Sequence, residues 1–380
     1  MKSGNFSNKK MHIVSFDIPL PANYGGVIDI YNKIRALHKL GVKITLHNFQ
    51  YGGRKASKHL LKYCENVFYY PRNNNKTNLF SSKPYIVASR TSEELLNRLA
   101  ADDAPILFEG LHTSLYLPNL KLKHKRKIVR THNIEHEYYK GLAIAENDPL
   151  KAIYFHNESR KLKRFEKNLS YADALAVISR NDARHFSKIH DNVEVISAFH
   201  PSEKVDVKEG LGQYALYHGS LDVSENNQAA LFLVNEVFDN LDYKLLIAGN
   251  KPGKELKAAI RNQKNVELRT NLKENDFEKL IAEAQVNVLP TFQATGIKLK
   301  LLLALHKGRH LLVNPPMVEQ TGLEELCHVV QSPEEFKNSI QDLMQKQINT
   351  NEIAQRNTML LQNGFSNAYN AENLAKLIFV

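Results

Sequence analysis

Short continuous apolar runs separated by helix-spaced stretches dominate the first half of the chain. Residues 11–16 (MHIVSF) are such a run and read as a strand of a parallel sheet, buried on both faces. The turn-rich PLPANYGG follows, and residues 27–40 then place Ile30, Ile34, Leu37 and Leu40 on one helical face. Gly41 stops that helix, and residues 42–49 read as the next strand, completing a strand–helix–strand unit. The alternation continues with strands at 105–108 (PILF) and 127–130 (KIVR), a long charged helix over 154–169, and strands at 174–178 (ALAVI) and 193–196. Residues 199–212, polar with proline and glycine, interrupt the series. A second series begins at Tyr214 (YALYHGS), with a helix over 228–237, a strand at 243–248 (YKLLIA) ended by Gly249, and a weaker strand at 266–268. A helix over 274–284 and a strand at 285–289 (QVNVL) follow. Residues 289–323 then read as strand end, glycine turn, basic helix start, apolar helix, glycine stop and buried strand.

Two such series imply two α/β domains, each built on a parallel sheet. A length of 380 residues agrees, at roughly 100–200 residues per domain. Ligands of these sheets lie beyond the carboxyl ends of the strands. The loops after Phe16, Phe108, Arg130, His218, Ala248 and Leu289 are therefore the places to look for a site.

Composition narrows the function classes. Apolar content of 43% and charged content of 24% are those of an ordinary globular protein. No run of about 18 apolar residues occurs, so no spanning helix is expected. The first ten residues, MKSGNFSNKK, are polar, lack the apolar core of a secretory signal and read as a disordered tail. The two cysteines, Cys64 and Cys327, suggest neither a disulfide framework nor structural zinc, and together with the missing signal they point to the cytoplasm. The net charge of +11 favours anionic partners, whether nucleotide diphosphates, acidic lipids or nucleic acid. No RNA-recognition or zinc-finger signature accompanies the basic patches, so nucleic acid is not expected.

Several segments hold residues suited to chemistry, each with a plain structural alternative. Tyr24-Gly25-Gly26, between the first strand and its helix, would let backbone approach a ligand, or is a simple turn. It is not GxGxxG, so a dinucleotide fingerprint is not supported. His112, in Glu109-Gly110-Leu111-His112 after a strand, would orient a hydroxyl or exchange a proton, or is an ordinary surface histidine. His132 and His136 are spaced i, i+4, but this is not HExxH and the chain has no DxD, so a loop that holds substrate or bridges domains is expected rather than a metal. His218-Gly219-Ser220-Leu221 suits a diphosphate or a bare turn. Gly296, Lys298 and Lys300 stand where a helix begins, with free N–H groups and the positive dipole end nearby, an arrangement suited to phosphate. The KLKHKRK run, 121–127, would meet acidic lipid headgroups or form a solvated loop, and RKLKR, 160–164, reads as a solvated helix face.

The order of these segments resembles the GT-B glycosyltransferases of family 4. YGG is similar to their first glycine loop, and THNIEHEYY to their "HNxE" segment. FEKNLSYADALAVISRND resembles the helix–strand unit that ends the first domain. YHGSLDVSENNQAALFLV and LLIAGN resemble the opening of the nucleotide domain. LPTFQATGIKLKLLLALHKGRHLLVNPPMVEQTGL is similar to the donor segment "GxKxKxLEAxAxGxPVV…GxEGL", and FSNAYNAENLAKLIF to the terminal helices that cross back. The resemblance spans roughly residues 11 to 380. It implies a GT-B fold, two Rossmann-like parallel-sheet domains with an interdomain cleft: an acceptor-side domain over 11–200 joined by 365–380, and a nucleotide-sugar domain over 201–364.

The implied activity is metal-independent transfer, with retention, of a sugar from a UDP- or GDP-linked donor to a glycan or lipid-linked acceptor in surface polysaccharide synthesis. No further cofactor is implied. Lysine and helix-terminal amides would stabilise the departing diphosphate. By resemblance, His112, Lys298 and Lys300 take the catalytic roles. Gly25, Gly26, Gly219, Ser220, Leu221, Thr295, Gly296 and Leu303 correspond to donor-binding positions. Peripheral contact with the inner face of an anionic membrane would suit a lipid-linked acceptor. Two departures stand out. Thr295 and Leu303 occupy the places of two glutamates, and Leu303 cannot accept from a ribose hydroxyl, at roughly 1.5–3 kcal/mol if nothing replaces the contact. An Arg/Lys pair after the first glycine loop of the nucleotide domain is missing, with Asp222 and Glu225 nearby instead. The alternative these departures support is a non-catalytic GT-B scaffold or a partner subunit of an active transferase.

Overall fold

The computed structural model describes residues 6–146, 148–292, 298–319 and 321–379, apart from the side chains of Lys76 and Phe80. The chain divides into two compact units, Met1–Phe199 with Phe365–Val380, and His200–Gly364.

The first unit is a parallel sheet of β1 (Lys10–Ser15), β2 (Lys43–Gln50), β3 (Asn66–Pro71), β4 (Ile106–Glu109), β5 (Lys127–Arg130), β6 (Ala174–Val177) and β7 (Val193–Val195), in the order β3-β2-β1-β4-β5-β6-β7. Neighbouring residues on one strand serve opposite faces. Ile13, Leu107, Ile128 and Ala176 pack with Ile30, Ile34 and Leu37 of the helix Gly25–Lys39 and with Leu374 and Ile378 of the final helix Asn367–Phe379. Val14, Phe108, Val129 and Leu175 pack on the other side with Leu96, Leu99 and Leu162. Apolar residues at successive positions are what a sheet covered on both faces requires, and this explains why its strands are legible as continuous runs.

The second unit repeats the plan with β8 (Ala215–His218), β9 (Leu245–Ala248), β10 (Val266–Arg269), β11 (Val286–Val288), β12 (His310–Val313) and β13 (His328–Val329), all parallel in the order β10-β9-β8-β11-β12-β13. In each unit the strand order reverses once, at β1/β4 and at β8/β11. A crevice opens beyond the carboxyl ends at such a reversal, which singles out the loops after these four strands.

Three expectations change. Order begins before β1: Phe6 is buried with its ring centroid 6.1 Å from that of Phe379, and the Asn8 amide donates to the Gly41 carbonyl, so residues 6–10 are not a tail. The segment after β5 is a helix, Glu135–Ala145, rather than a loop. Most of KLKHKRK is tied into the fold. Lys125 is buried against Asp102 at 2.9 Å, Lys127 donates to the Leu117 carbonyl, and Arg126 donates to the Leu377 carbonyl. That run also precedes β5, at the end of the sheet opposite the carboxyl-end loops.

Candidate functional site

In the second unit, the loops after β8 and β9 touch through backbone. A side chain at Gly249 would meet the Gly219 carbonyl oxygen at 2.0 Å, so only glycine fits there. The Gly219 amide donates to the Ala248 carbonyl and the Leu221 amide to the Asn250 carbonyl. Leu221 is buried and Ser220 exposed, so of the expected diphosphate loop Leu221 is a packing residue and Ser220 offers its hydroxyl to solvent. The helix Ser224–Phe232 begins directly after, which places Glu225 and Asn226 in its first turn.

The loop after β11 meets that turn. Thr291 is held by Asn314 in a reciprocal pair of hydrogen bonds, amide to side-chain oxygen at 2.9 Å and side-chain amide to carbonyl at 2.7 Å. The Thr291 hydroxyl donates to Glu225. Lys298 then sits at the N-cap position of the apolar helix Leu299–Lys307, and its ammonium lies 3.1 Å from Glu225 Oε1. Lys300 donates to Asn226 Oδ1 at 2.9 Å, is 3.4 Å from the Tyr217 hydroxyl, and stands 5.1 Å over the Tyr217 ring. Burial lowers the Lys300 pKa to about 8, with Glu225 opposing the shift and Lys298 adding to it. Beside it, burial and the charge of Lys300 push His218 down to about 3, so the imidazole is neutral at physiological pH. His218 Nε2 is buried without a hydrogen-bond partner among the described residues. Thr295 and Gly296 fall in 293–297, outside the described residues. Leu303 packs against the cluster of Tyr214, Leu216, Ala248 and Ile281, which is the physical reason an apolar residue suits it.

The result is two lysines and one carboxylate at the β8/β11 reversal. Glu225 is the member that sequence patterns did not assign. It neutralises Lys298 and leaves Lys300 as the cation that is in no ion pair among the described residues.

In the first unit, Gly25 and Gly26 open the helix Gly25–Lys39 on the carboxyl-end side of β1. A side chain at Gly26 would press within 2.6 Å of the Phe16 ring, so this glycine has a packing reason of its own. His112 lies in the 3-10 turn Leu111–Tyr116 after β4, its ring 5.0 Å from that of Phe16 and its Nδ1 3.9 Å from Glu135 Oε1. Burial, with Arg90, His132 and Arg72 close by, holds His112 well below the ordinary histidine range, so it is a neutral acceptor or donor. Glu135 moves the other way. Burial raises it to about 8, Asn133 and Arg90 oppose the shift, and Glu166 adds to it.

His132 and His136 do not converge. His132 precedes the helix and lies 2.9 Å from Glu109 Oε2, whereas His136 bonds Glu166 at 2.6 Å. His136, Glu166 and His185 offer donor atoms within 4.8 Å of one another, and Glu166 bridges the two imidazoles. Glu109 belongs to a buried ionic group: Lys33 lies 2.7 Å from Glu109 and 2.8 Å from Asp29, and Arg130 lies 3.1 Å from Asp29. Burial works against the Asp29 charge, but Arg130, Lys33 and His132 outweigh it and hold the carboxyl below its ordinary range. Sequence reasoning missed this group. The available signal was an acid and a lysine spaced i, i+4 beside the apolar face of the first helix.

No established family profile matches the chain. An uncharacterized 44.6 kDa protein in the cps region of Klebsiella pneumoniae is 30% identical over 330 residues, spanning 82% of this chain and 84% of that protein. The chain belongs to that protein's family. Among solved structures, TarM superposes with a TM-score of 0.67 at 11% identity, covering 99% of this chain and all (100%) of that one. An alpha,alpha-trehalose-phosphate synthase (UDP-forming) from Burkholderia xenovorans, in complex with glucose-6-phosphate, gives 0.60 at 10% identity over 97% of this chain and 99% of that one. At such identities the likeness carries the fold, and the fold is GT-B. No helix among the described residues is long and apolar enough to cross a membrane.

Proposed function

We propose that this protein is a glycosyltransferase that moves a sugar, with retention, from a nucleotide-diphosphate sugar to a glycan or lipid-linked acceptor in surface polysaccharide synthesis. The observation that carries this reading is the pair Lys298 and Lys300 at the start of the helix Leu299–Lys307, at the strand-order reversal of the second sheet. The family relative in a cps region and the UDP-forming GT-B neighbour support it.

In this reading the diphosphate lies against the Gly219–Ser220 loop, the first amides of the helix and the Lys300 ammonium. Lys300 is suited to the task because its burial makes the charge costly until an anion arrives. As negative charge builds on the leaving diphosphate, Lys300 and the helix dipole stabilise it without reorganisation, which is where most of the rate comes from when no metal takes part. His112, neutral, orients a hydroxyl of the transferred sugar or of the acceptor, and Gly25 and Gly26 supply amides on the acceptor side. Thr295 and Gly296 complete the donor contacts, and Leu303 contributes packing.

The test is a panel of UDP- and GDP-sugars read by melting temperature. A rise with one of them that Lys300→Ala abolishes supports the reading, and no rise with any of them refutes it. A second reading, a non-catalytic GT-B partner subunit, is favoured by Glu225 already occupying Lys298. Product formation by the purified single chain would eliminate it.

A further inference from the structure

Gln50 and Pro71, the last residues of β2 and β3, are partners in the first sheet, so Tyr51 and Arg72 stand side by side just beyond its carboxyl edge. Phe16 and His112 follow β1 and β4, the next strands along the same edge. The Arg72 guanidinium lies over two rings, 4.3 Å from the Tyr51 centroid and 5.2 Å from that of Tyr85. Its Nε donates to Ser89 Oγ at 2.8 Å, while Nη1 and Nη2 donate to no group among the described residues. Arg90 is only 5% exposed, with Nε on the Phe16 carbonyl at 2.8 Å and Nη1 on the Ile86 carbonyl at 2.7 Å. Burial and the charge of Arg72 bring its pKa down to about 10, so it stays protonated at neutral pH. Neither arginine is in an ion pair among the described residues. The neighbouring carboxylates are engaged elsewhere. Asp17 accepts from the Tyr24 hydroxyl and the Ile18 amide and lies 3.6 Å from Arg54. Glu158 accepts from the Tyr85 amide and pairs with Lys161 at 2.9 Å. Glu135, raised to about 8, is largely protonated at neutral pH. Taking a guanidinium out of water is unfavourable unless an anion meets it, so two such cations without an acid of their own mark a place for one. Tyr51 is 47% exposed, so this place opens to solvent.

We propose that this edge is a subsite for an acidic sugar, one whose ring packs on Tyr51 and whose carboxylate or phosphate is held by the terminal nitrogens of Arg72. The planar fork of an arginine matches two oxygens of one anion, and the rings beneath it fix its orientation before the ligand arrives. Arg90 adds a second positive charge from the buried side, where water screens it least. A pyranose presents C–H bonds on its face, and an exposed aromatic ring covers such a face while leaving the sugar hydroxyls wet. Tyr154, from the helix Pro149–Phe165, widens the platform: burial raises its pKa, Glu158, Tyr85 and Tyr51 add to the shift, and Arg72 opposes it. His112 stands on the same edge, so the sugar held here is the acceptor. That last step rests on the transferase reading, whereas recognition of an acidic sugar stands without it.

The test is ligand-observed NMR titration of the full chain with matched methyl glycosides. Methyl glucuronoside and methyl galacturonoside are each compared with the neutral hexoside, which differs only in a hydroxymethyl group for the carboxylate, and with its 6-phosphate. At least one acidic member should bind roughly tenfold or more tightly than its neutral counterpart, as a charge-assisted hydrogen bond gives, and added salt should narrow the gap. A gap for the uronoside identifies a carboxylate as the anion, and a gap for the 6-phosphate alone identifies a phosphate. Arg72→Met should erase the gap, and Arg72→Lys should keep part of it, because the charge stays and the fork is lost. Tyr51→Ala should weaken acidic and neutral sugars together. Arg72 is half-buried and Tyr51 exposed, so an unchanged thermal midpoint shows that each variant keeps the fold. Three results overturn the inference: no gap for any pair, a gap that survives Arg72→Met, or methyl phosphate binding as tightly as the sugar phosphate, which would make this a bare anion site. The nucleotide-sugar thermal shift of the unaltered protein reports on the transferase reading separately: its absence, with the gap intact, removes the word acceptor and leaves the acidic-sugar site.

Discussion

Glu225→Gln separates a donor-phosphate site from a static ion pair. In the free protein Glu225 accepts from Thr291 and lies 3.1 Å from Lys298, with the two paired side chains 14% and 17% exposed. If a diphosphate binds at this helix start, its charge approaches Lys298 from beside a carboxylate that repels it. At an effective dielectric near 20, a unit negative charge about 5 Å from Glu225 is opposed by roughly 3 kcal/mol. Part of that is screened at a rim that retains some exposure, leaving about 1.5–3 kcal/mol. Glutamine keeps the shape and still accepts from Thr291, so the change removes charge and little else. Binding of the preferred nucleoside diphosphate should therefore tighten by about tenfold to a hundredfold, at 1.4 kcal/mol per tenfold. Isothermal titration with UDP and GDP at low ionic strength measures it, and the gain should shrink as salt is added. Unchanged affinity for every nucleotide would show that no phosphate approaches Lys298. Weaker affinity would show that Glu225 accepts from the ligand, in the place of the carboxylate that Leu303 lacks. Either result refutes the electrostatic reasoning.

Further expectations follow from the same geometry. An anion binds the protonated form of Lys300, whose pKa burial sets at about 8, so nucleotide affinity is full below that pH and falls as pH rises through it; titrations on both sides of pH 8 check this, and Lys300→Arg should flatten the profile because arginine stays charged. Glu135 is an acid whose folded pKa is raised, so the folded state binds more protons than the unfolded one between about pH 4 and 8, and stability falls across that window. Glu135→Gln should remove most of a penalty of roughly 3 kcal/mol at pH 7, read as a flatter dependence of the urea midpoint on pH; parallel profiles for the two proteins would contradict it. Lys33→Met leaves Asp29 and Glu109 buried with only Arg130 and His132, and should cost about 3–5 kcal/mol in urea unfolding. A loss below about 1 kcal/mol would mean the group is better hydrated than its burial implies.

The structure also shows which parts of the chain announce themselves. The central strands β1, β4, β5, β6, β8, β9 and β11 are legible because both of their faces are covered, so each is a continuous apolar run. The outer strands β3 and β13 are not. β3 (NVFYYP) is mostly half-buried at a sheet edge, and β13 is two exposed residues, so neither burial nor alternation marks them. Glu135–Ala145 was missed as a helix because His136, Glu137, Tyr138 and Tyr139 look like a polar loop; its buried anchor is the His136–Glu166 bond, a contact between residues thirty apart.

By itself, the sequence determined that the protein has two parallel α/β sheets and that two lysines open an apolar helix after the strand at 285–289. Local order suffices for both, since strand burial and helix starts are written in neighbouring residues. Which charges offset one another was decided only by tertiary structure. Glu225 meets Lys298, Lys300 turns to Asn226 and Tyr217, Asp29 gathers Lys33 and Arg130, and Lys125 leaves the basic run for Asp102. A charge acts over a few ångströms through a poorly screening interior, and those distances are set by the packing of segments far apart in the chain, which no local pattern encodes.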